Sequence, residues 1–391
     1  MKLFLNALAG ITVALACSIP ASAQTVFFGT TPDVSKKVRP HKVDQTKRLA
    51  AYQVAGLLGD RNFSALLERE LAGKDQAVML KPMLNSYATT SAQASIAAAS
   101  LHSADAVIRQ SKAIATETDS VLDVRLYMPK KFAGKVDWKD LLVAYPPASR
   151  KHEYAAVEAF DRQGNSRLLD GRAAPQVPVL IVGINRAEAH RAGVALMNQH
   201  LQAMGMQSTA KAARSAPAAL TAGIDTTKLD RIRLNNDQEP WISGAAEIFA
   251  VVSGVQPDQA KATLTVVDMP YLDYDGTDYT PNQIMIFWPE YRFAAANVQL
   301  FEHDDNTNYK DLAVALSQGV TTILGAFAPT YAVIGQVATA ILQAMPAGWF
   351  ANDDDYVDSF YTLEKGRYYT GYKGAAGNAT VSLSPYMLQS Q

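Results

Sequence analysis

The spacing of apolar residues divides the chain into segments of different period. Phe63, Leu66, Leu67 and Leu71 recur at helical intervals, with Asn62 as a cap before them and Gly73 as a stop after them. Residues 92–115 are alanine-rich, with Ile96, Leu101, Val107, Ile108 and Ile114 on a loose stripe. The whole stretch 44–118 is expected to be a helical scaffold that carries no chemistry. From residue 121 the period shortens. Residues 121–128, 141–145, 154–160 and 177–184 read as strands, punctuated by Pro129, Pro146, Pro147 and a turn at 161–165. The last is a nearly continuous apolar run, as a strand covered on both faces requires. Asn185 and Glu188 then form a capping-box pair, and Ala189, Ala192, Leu196, Met197, Leu201 and Met204 follow at helical spacing until Gly205. Residues 206–222 are rich in Ala, Ser and Thr and read as a linker, which we extend to 206–235.

After Trp241 strands return, at 245–253, 261–267, 283–289, 297–303, 356–363 and 378–383, with turn signals at Gly254, Pro257, Asp275, Gly276, Pro281 and Pro289. Short strands at this spacing predict an antiparallel sandwich. One stretch breaks the rhythm: residues 312–352 contain no Asp, Glu, Lys, Arg or His. Leu312, Leu316, Val320, Ile323, Leu324 and Phe327 form one helical stripe. Val333, Ile334, Val337, Ile341, Leu342 and Met345 form a second, and Gly325, Pro329 and Gly335 interrupt the run. Each piece is shorter than the roughly 20 apolar residues a membrane span needs. The expectation is a helical hairpin within 309–346 covering one sheet face. The alternative is a hairpin that enters a membrane, against which stands the missing basic face of interfacial helices. The fold class is thus α+β and multidomain, with a helical region (24–118), an α/β segment (119–205), a linker (206–235) and a β-sandwich carrying the hairpin (236–391).

The first 23 residues read as a secretory leader. Met1 and Lys2 make a basic start, residues 3–16 are mostly apolar, and Ala21, Ser22 and Ala23 form a small-residue cleavage box. The expected location is the periplasm or outside the cell. The sole cysteine, Cys17, falls within that leader, so the mature chain has no thiol for a disulfide, a nucleophile or a zinc ligand.

Charge sharpens the picture. The net charge is −1, yet residues 24–233 hold 29 Lys/Arg and 19 Asp/Glu while residues 234–391 hold 6 and 18. No basic stripe interleaved with aromatics points to nucleic acid. The acids gather at strand ends and loops: Asp268, Asp273, Asp275, Asp278, Glu290, Glu302, Asp304, Asp305 and Asp311, then Asp353, Asp354, Asp355 and Asp358. Crowded carboxylates repel unless something cationic compensates them. Calcium, a hard ion with oxygen ligands, is the expected compensator, held by Asp273, Asp275, Glu302, Asp304 and Asp358. Without an ion, the basic and acidic halves would dock on each other, a contact that salt would weaken. An EF-hand does not fit, since Tyr309 and Ala315 occupy the positions that need Gly and Glu. Asp275 and Glu302, with Tyr271, Tyr274, Tyr279, Trp288 and Tyr291 nearby, raise a glycoside-hydrolase alternative. His-Glu-x-x-His and Gly-x-Ser-x-Gly are absent. Six scattered histidines include His200, expected on the apolar side of its helix, and His303, between Glu302 and Asp304.

Several stretches carry a resemblance. Residues 240–249 (PWISGAAEIF), 269–273 (MPYLD), 279–283 (YTPNQ), 301–306 (FEHDDN), 352–358 (NDDDYVD) and 178–185 (PVLIVGIN) together resemble a family of secreted proteobacterial proteins of unassigned function, over about residues 45–388. The acidic strand ends are also similar to calcium-dependent C2-type sandwiches, although Ala245 and Ala246 stand where those often carry an acid. The resulting expectation is an exported, non-catalytic, calcium-stabilised binding or structural module. Its partner would be a protein, a glycan or a small molecule. A carboxylate-pair hydrolase and a membrane-active protein are the alternatives.

Overall fold

Strands form where alternating side chains have two faces to cover, and three sheets result. The computed structural model describes residues 42–72, 77–129, 132, 136–147, 156–207, 223–236, 241–244, 246–257, 261–302, 305–326, 333–344 and 356–389. The segment 1–23 expected to be a leader, Gly73 and His303 lie outside these. Residues 40–391 form one unit, and the chain is α+β.

The first sheet has the order β1-β2-β6-β3-β4-β5, built from Ala77–Met79, Leu122–Tyr127, Leu142–Ala144, Ala156–Phe160, Ser166–Asp170 and Val179–Ile184 numbered along the chain. It is antiparallel except for β3 beside β6. As the apolar run predicts, every residue of β6 is buried. One face is covered by α1 (Lys42–Leu57), α3 (Leu80–Ala88) and α4 (Ala92–Ser111), with α2 (Arg61–Leu71) against α3. The cap of α2 is Asp60 rather than Asn62: its Oδ1 accepts the amides of Asn62 and Phe63 at 2.7 and 3.4 Å. On α4 the buried positions are Ala94, Ala98, Leu101, Asp105 and Ile108, and Ile96 points to solvent.

Helix α5 (Arg186–Ala203) starts as expected, with Asn185 Oδ1 accepting the Glu188 amide at 2.9 Å. Only that half of the capping box forms, because the Glu188 carboxylate binds Thr118 and Arg191 instead. Gly205, at φ +71°, closes the helix. The expected linker ends early. Its final residues form β7 (Ile224–Leu234), an eleven-residue strand in which a register shift at Asp230 brings Leu229 into one buried set with Ile232 and Leu234.

Two four-stranded antiparallel sheets follow: β10-β7-β14-β13 and β12-β11-β8-β9. They use β8 (Ile248–Val255), β9 (Ala262–Asp268), β10 (Gln283–Phe287), β11 (Ala295–Glu302), β12 (Tyr356–Glu364), β13 (Tyr369–Lys373) and β14 (Ala379–Leu388). Side chains of both sheets, among them Leu229, Val252, Val298, Phe360 and Val381, share one core. The hairpin is present as α6 (Tyr309–Ala326) and α7 (Val333–Ala344), packed against each other. Helix α6 lies on α5 and β9, and α7 lies on β11, β8 and β12. One core runs across the boundary expected at 118/119, from Val43 on α1 through Leu180 on β6 and Met197 on α5 to Ile341 on α7. A helical layer thus fills the space between the first sheet and the β12-β11-β8-β9 sheet. Asn198 on α5 also covers the backbone of the edge strand β9, bonding Val266 N and O at 3.1 and 2.8 Å.

Candidate functional site

Within that layer lies a buried seam of charge. Helix α1 turns Asp44 and Lys47 inward, and the Lys47 side chain is fully buried. Its Nζ lies 3.1 Å from Asp44 Oδ1 and donates to Asp305 Oδ2 at 2.8 Å. Lys112, also fully buried at the end of α4, donates to the Asp305 carbonyl at 2.8 Å. Arg186 opens α5, with guanidinium nitrogens 3.4 Å from Asp305 Oδ1 and 3.8 Å from Glu302 Oε1. One turn further, His190 places Nε2 2.9 Å from Asp268 Oδ1. Tyr309 completes the seam: its ring lies against Gly193 and 5.4 Å from Lys112 Nζ. Gly193 is required there, because a Cβ at that position would collide with the ring.

The cations of this seam come from residues 47, 112 and 186, and Glu302 and Asp305 come from the acidic half. The charge split in the sequence is therefore joined inside the protein. Burial alone would raise the Asp305 pKa, but Lys47, Arg186 and Lys112 hold it well below the usual carboxylate range. For Lys47 burial works to lower the pKa, and Asp305 and Asp44 reverse this and raise it. Asp123 on β2 is the contrary case. Burial pushes its carboxyl up to about 7, with Arg125 only partly opposing. Burial also raises the Tyr309 hydroxyl well above its ordinary value, with Glu247 and Asp305 adding to the effect. Such pairs sit where salt penetrates poorly, so the salt sensitivity expected for docked surfaces does not apply to them.

The residues picked from the sequence fall in different environments. Asp358, fully buried on β12, accepts the amides of Ser359 and Ala376 on Oδ1 at 2.8 Å each, and that of Ala379 on Oδ2 at 2.6 Å. It shapes the β13–β14 turn. Glu302 is 3% exposed and faces Arg186. Asp273 is half-buried and Asp275 exposed in the β9–β10 connection, where burial raises the Asp273 pKa. Asp304 lies outside the described residues. Among those described, no group of three or more His, Cys, Asp and Glu side chains is arranged to hold a metal ion. Trp288 and Tyr291 are core residues, with Trp288 Nε1 donating to Thr227 Oγ1 at 3.0 Å. His200 is only half-buried, and the buried histidine of α5 is His190.

One open cleft of about 510 Å³ lies elsewhere, at the β4–β5 end of the first sheet. Leu141, Leu142, Val177 and Pro178 wall it, and Lys139, Arg162 and Arg167 are on its lining. Two of its acids serve the backbone: Asp161 Oδ1 accepts the Gln163 and Asn165 amides at 3.0 and 2.9 Å, and Asp137 Oδ1 that of Lys139 at 3.1 Å.

The fold and seam define an α+β protein in which a helix-filled core with a buried ionic seam joins the first sheet to the β12-β11-β8-β9 sheet, and a second core joins that sheet to β10-β7-β14-β13. Residues 47–391 match the family described as protein of unknown function (DUF3103), and the chain belongs to that family. No curated protein and no solved structure matches it.

Proposed function

We propose that the protein is an exported, non-catalytic binding or structural module whose two sheets β10-β7-β14-β13 and β12-β11-β8-β9 form a β-sandwich. The observation that carries this reading is the internal use of the carboxylates. Asp358 is spent on three backbone amides, and Asp305 and Glu302 face cations in the seam. A Glu302 that is 3% exposed offers substrate no general acid, which weighs against the hydrolase alternative. The open cleft, within the usual size range of small-ligand sites, is the place for a glycan or small-molecule ligand.

Calcium enters as the test. With the seam and Asp358 compensated from within, calcium and EDTA are expected to leave the melting temperature within about 1 °C. A rise of several degrees with calcium, reversed by EDTA, would overturn internal compensation. It would return the ion to the loops of Asp273, Asp275 and Asp304. A thermal-shift screen of glycans and small acids, repeated with Arg162→Ala and Arg167→Ala, tests the cleft. A ligand whose effect survives both changes binds elsewhere. Turnover of a glycoside lost with Asp275→Asn or Glu302→Gln would refute the non-catalytic reading.

A further inference from the structure

We propose that helix α7 is a detachable element that exchanges its seat on the sheet for the surface of a lipid bilayer. The seat is polar where a helix cover would ordinarily meet apolar side chains. Asn297 and Gln299, both fully buried on β11, donate to the carbonyls of Ile334 and Ala338 at 2.8 and 3.0 Å. These carbonyls are one helical turn apart, so the two amides hold α7 in a single register. Ser253 on β8 stands opposite Asn297, and Ser359 on β12 opposite Gln299.

Docking leaves acceptors unserved. Ser253 Oγ, Asn297 Oδ1 and Gln299 Oε1 are buried with no hydrogen-bond partner among the described residues. Water would serve all three if α7 left, which offsets part of the cost of uncovering the contacts of Val337, Ala340 and Ile341, and lipid would cover that helix face again. The rest of the same sheet face is different. Val251, opposite Gln299 on β8, is apolar, and under α5 and α6 the face presents Leu264 and Val266, with Phe249 beside His190.

The helix is suited to lipid. Ile334, Val337, Ala340 and Ile341 are buried, and its outer positions Gly335, Thr339 and Gln343 are uncharged. The stretch 312–352 holds no charged residue or histidine, so it offers a protein partner no ion pair and a bilayer no charge to desolvate. No helix among the described residues is long and apolar enough to cross a membrane. Twelve residues of helix reach about 18 Å. Lacking the basic face that usually adds headgroup attraction, the helix depends on its apolar face alone; it lies in the plane of the interface, and the binding is indifferent to headgroup charge.

The test uses the full chain with Cys17→Ser and Gly335→Cys, labelled with a polarity-sensitive dye. Position 335 is exposed, with nothing near an added Cβ. Vesicles of phosphatidylcholine, with and without phosphatidylglycerol, should shift the emission to the blue to the same extent. Asn297→Leu with Gln299→Leu makes the seat apolar and should cut the bound fraction about tenfold with an unchanged circular-dichroism spectrum. Hydrogen exchange of the lipid-free protein gives a second readout that needs no seat variant. Amides of α7 should exchange at least about tenfold faster than those of β8, and Ser253→Ala should slow them. An unshifted dye, a shift only with phosphatidylglycerol, undiminished binding by a folded double variant, or α7 amides as protected as β8 would each overturn the proposal.

Discussion

Asp305→Asn tests the seam most directly. The carboxylate is nearly buried, meets Lys47 at 2.8 Å and Arg186 at 3.4 Å, and leaves a fully buried ammonium behind when neutralised. Breaking one partner of a buried pair costs about 3–5 kcal/mol. Lys47 keeps Asp44 at 3.1 Å and Arg186 keeps Glu302 at 3.8 Å, which places the cost near the lower end, about 3 kcal/mol. Unfolding entropy near 2.1 cal/mol/K per residue over roughly 350 residues makes that about 4 °C in melting temperature. Calorimetry at pH 7 measures it. The pH dependence has a fixed sign. The folded Asp305 pKa is depressed, so its stabilisation is present above the unfolded carboxylate pKa, near 4, and is lost as pH falls toward the folded value. Wild type and variant should converge as pH is lowered below about 4. Replacing both partners, Lys47→Met with Asp305→Leu, should recover most of the loss. A cost below about 1 kcal/mol, the range of exposed bridges, would refute the account of the seam as a buried joint.

Asp123, pushed up to about 7, keeps its proton in the folded state only below that pH, and the stability it costs grows as pH rises from about 4 to 7. Asp123→Asn should therefore stabilise by about 2–4 kcal/mol in urea melts at pH 8 and have little effect near pH 4. Asp358→Asn sets an NH₂ against a backbone N–H in the β13–β14 turn, with an expected loss of about 2–4 kcal/mol that added calcium does not alter. Gly193→Ala drives a methyl into the Tyr309 ring and should cost about 3 kcal/mol, partly recovered by Tyr309→Ala; thermal unfolding of the three proteins checks it.

Strand positions were legible in the sequence because period-2 alternation and turn residues agree there, so β8 to β12 fall within a few residues of expectation. Strand β7 was missed. Its mixed sequence, IDTTKLDRIRL, has a weak alternation and follows a stretch of small residues that reads as linker. The seam was missed for a different reason. Lys47 lies among Val43, Ala50, Ala51 and Val54, and Lys112 follows Leu101, Asp105 and Ile108 on their stripe. Charged residues at core positions of an amphipathic helix are a readable signal, but a single lysine on a loose alanine-rich stripe resembles a surface lysine. Gly193 inside α5 was a second signal, a helix glycine explained only by the close approach of Tyr309. The acids were legible as a group. Their partners were not, because Lys47, Lys112 and Arg186 lie more than a hundred residues from Glu302 and Asp305, and strand-end carboxylates look alike whether they serve an ion, an amide or a lysine.

The contact between Lys47 and Asp305 spans 258 positions of chain. A chain made from its N-terminus releases α1, α4 and the start of α5 before the acids that neutralise them exist. Until residues 302–305 arrive, Lys47, Lys112 and Arg186 must stay in water, and the helical layer cannot close over them. The last closure is therefore a late event in the life of each molecule, and a chain cut short before β11 ends holds its own first helices open.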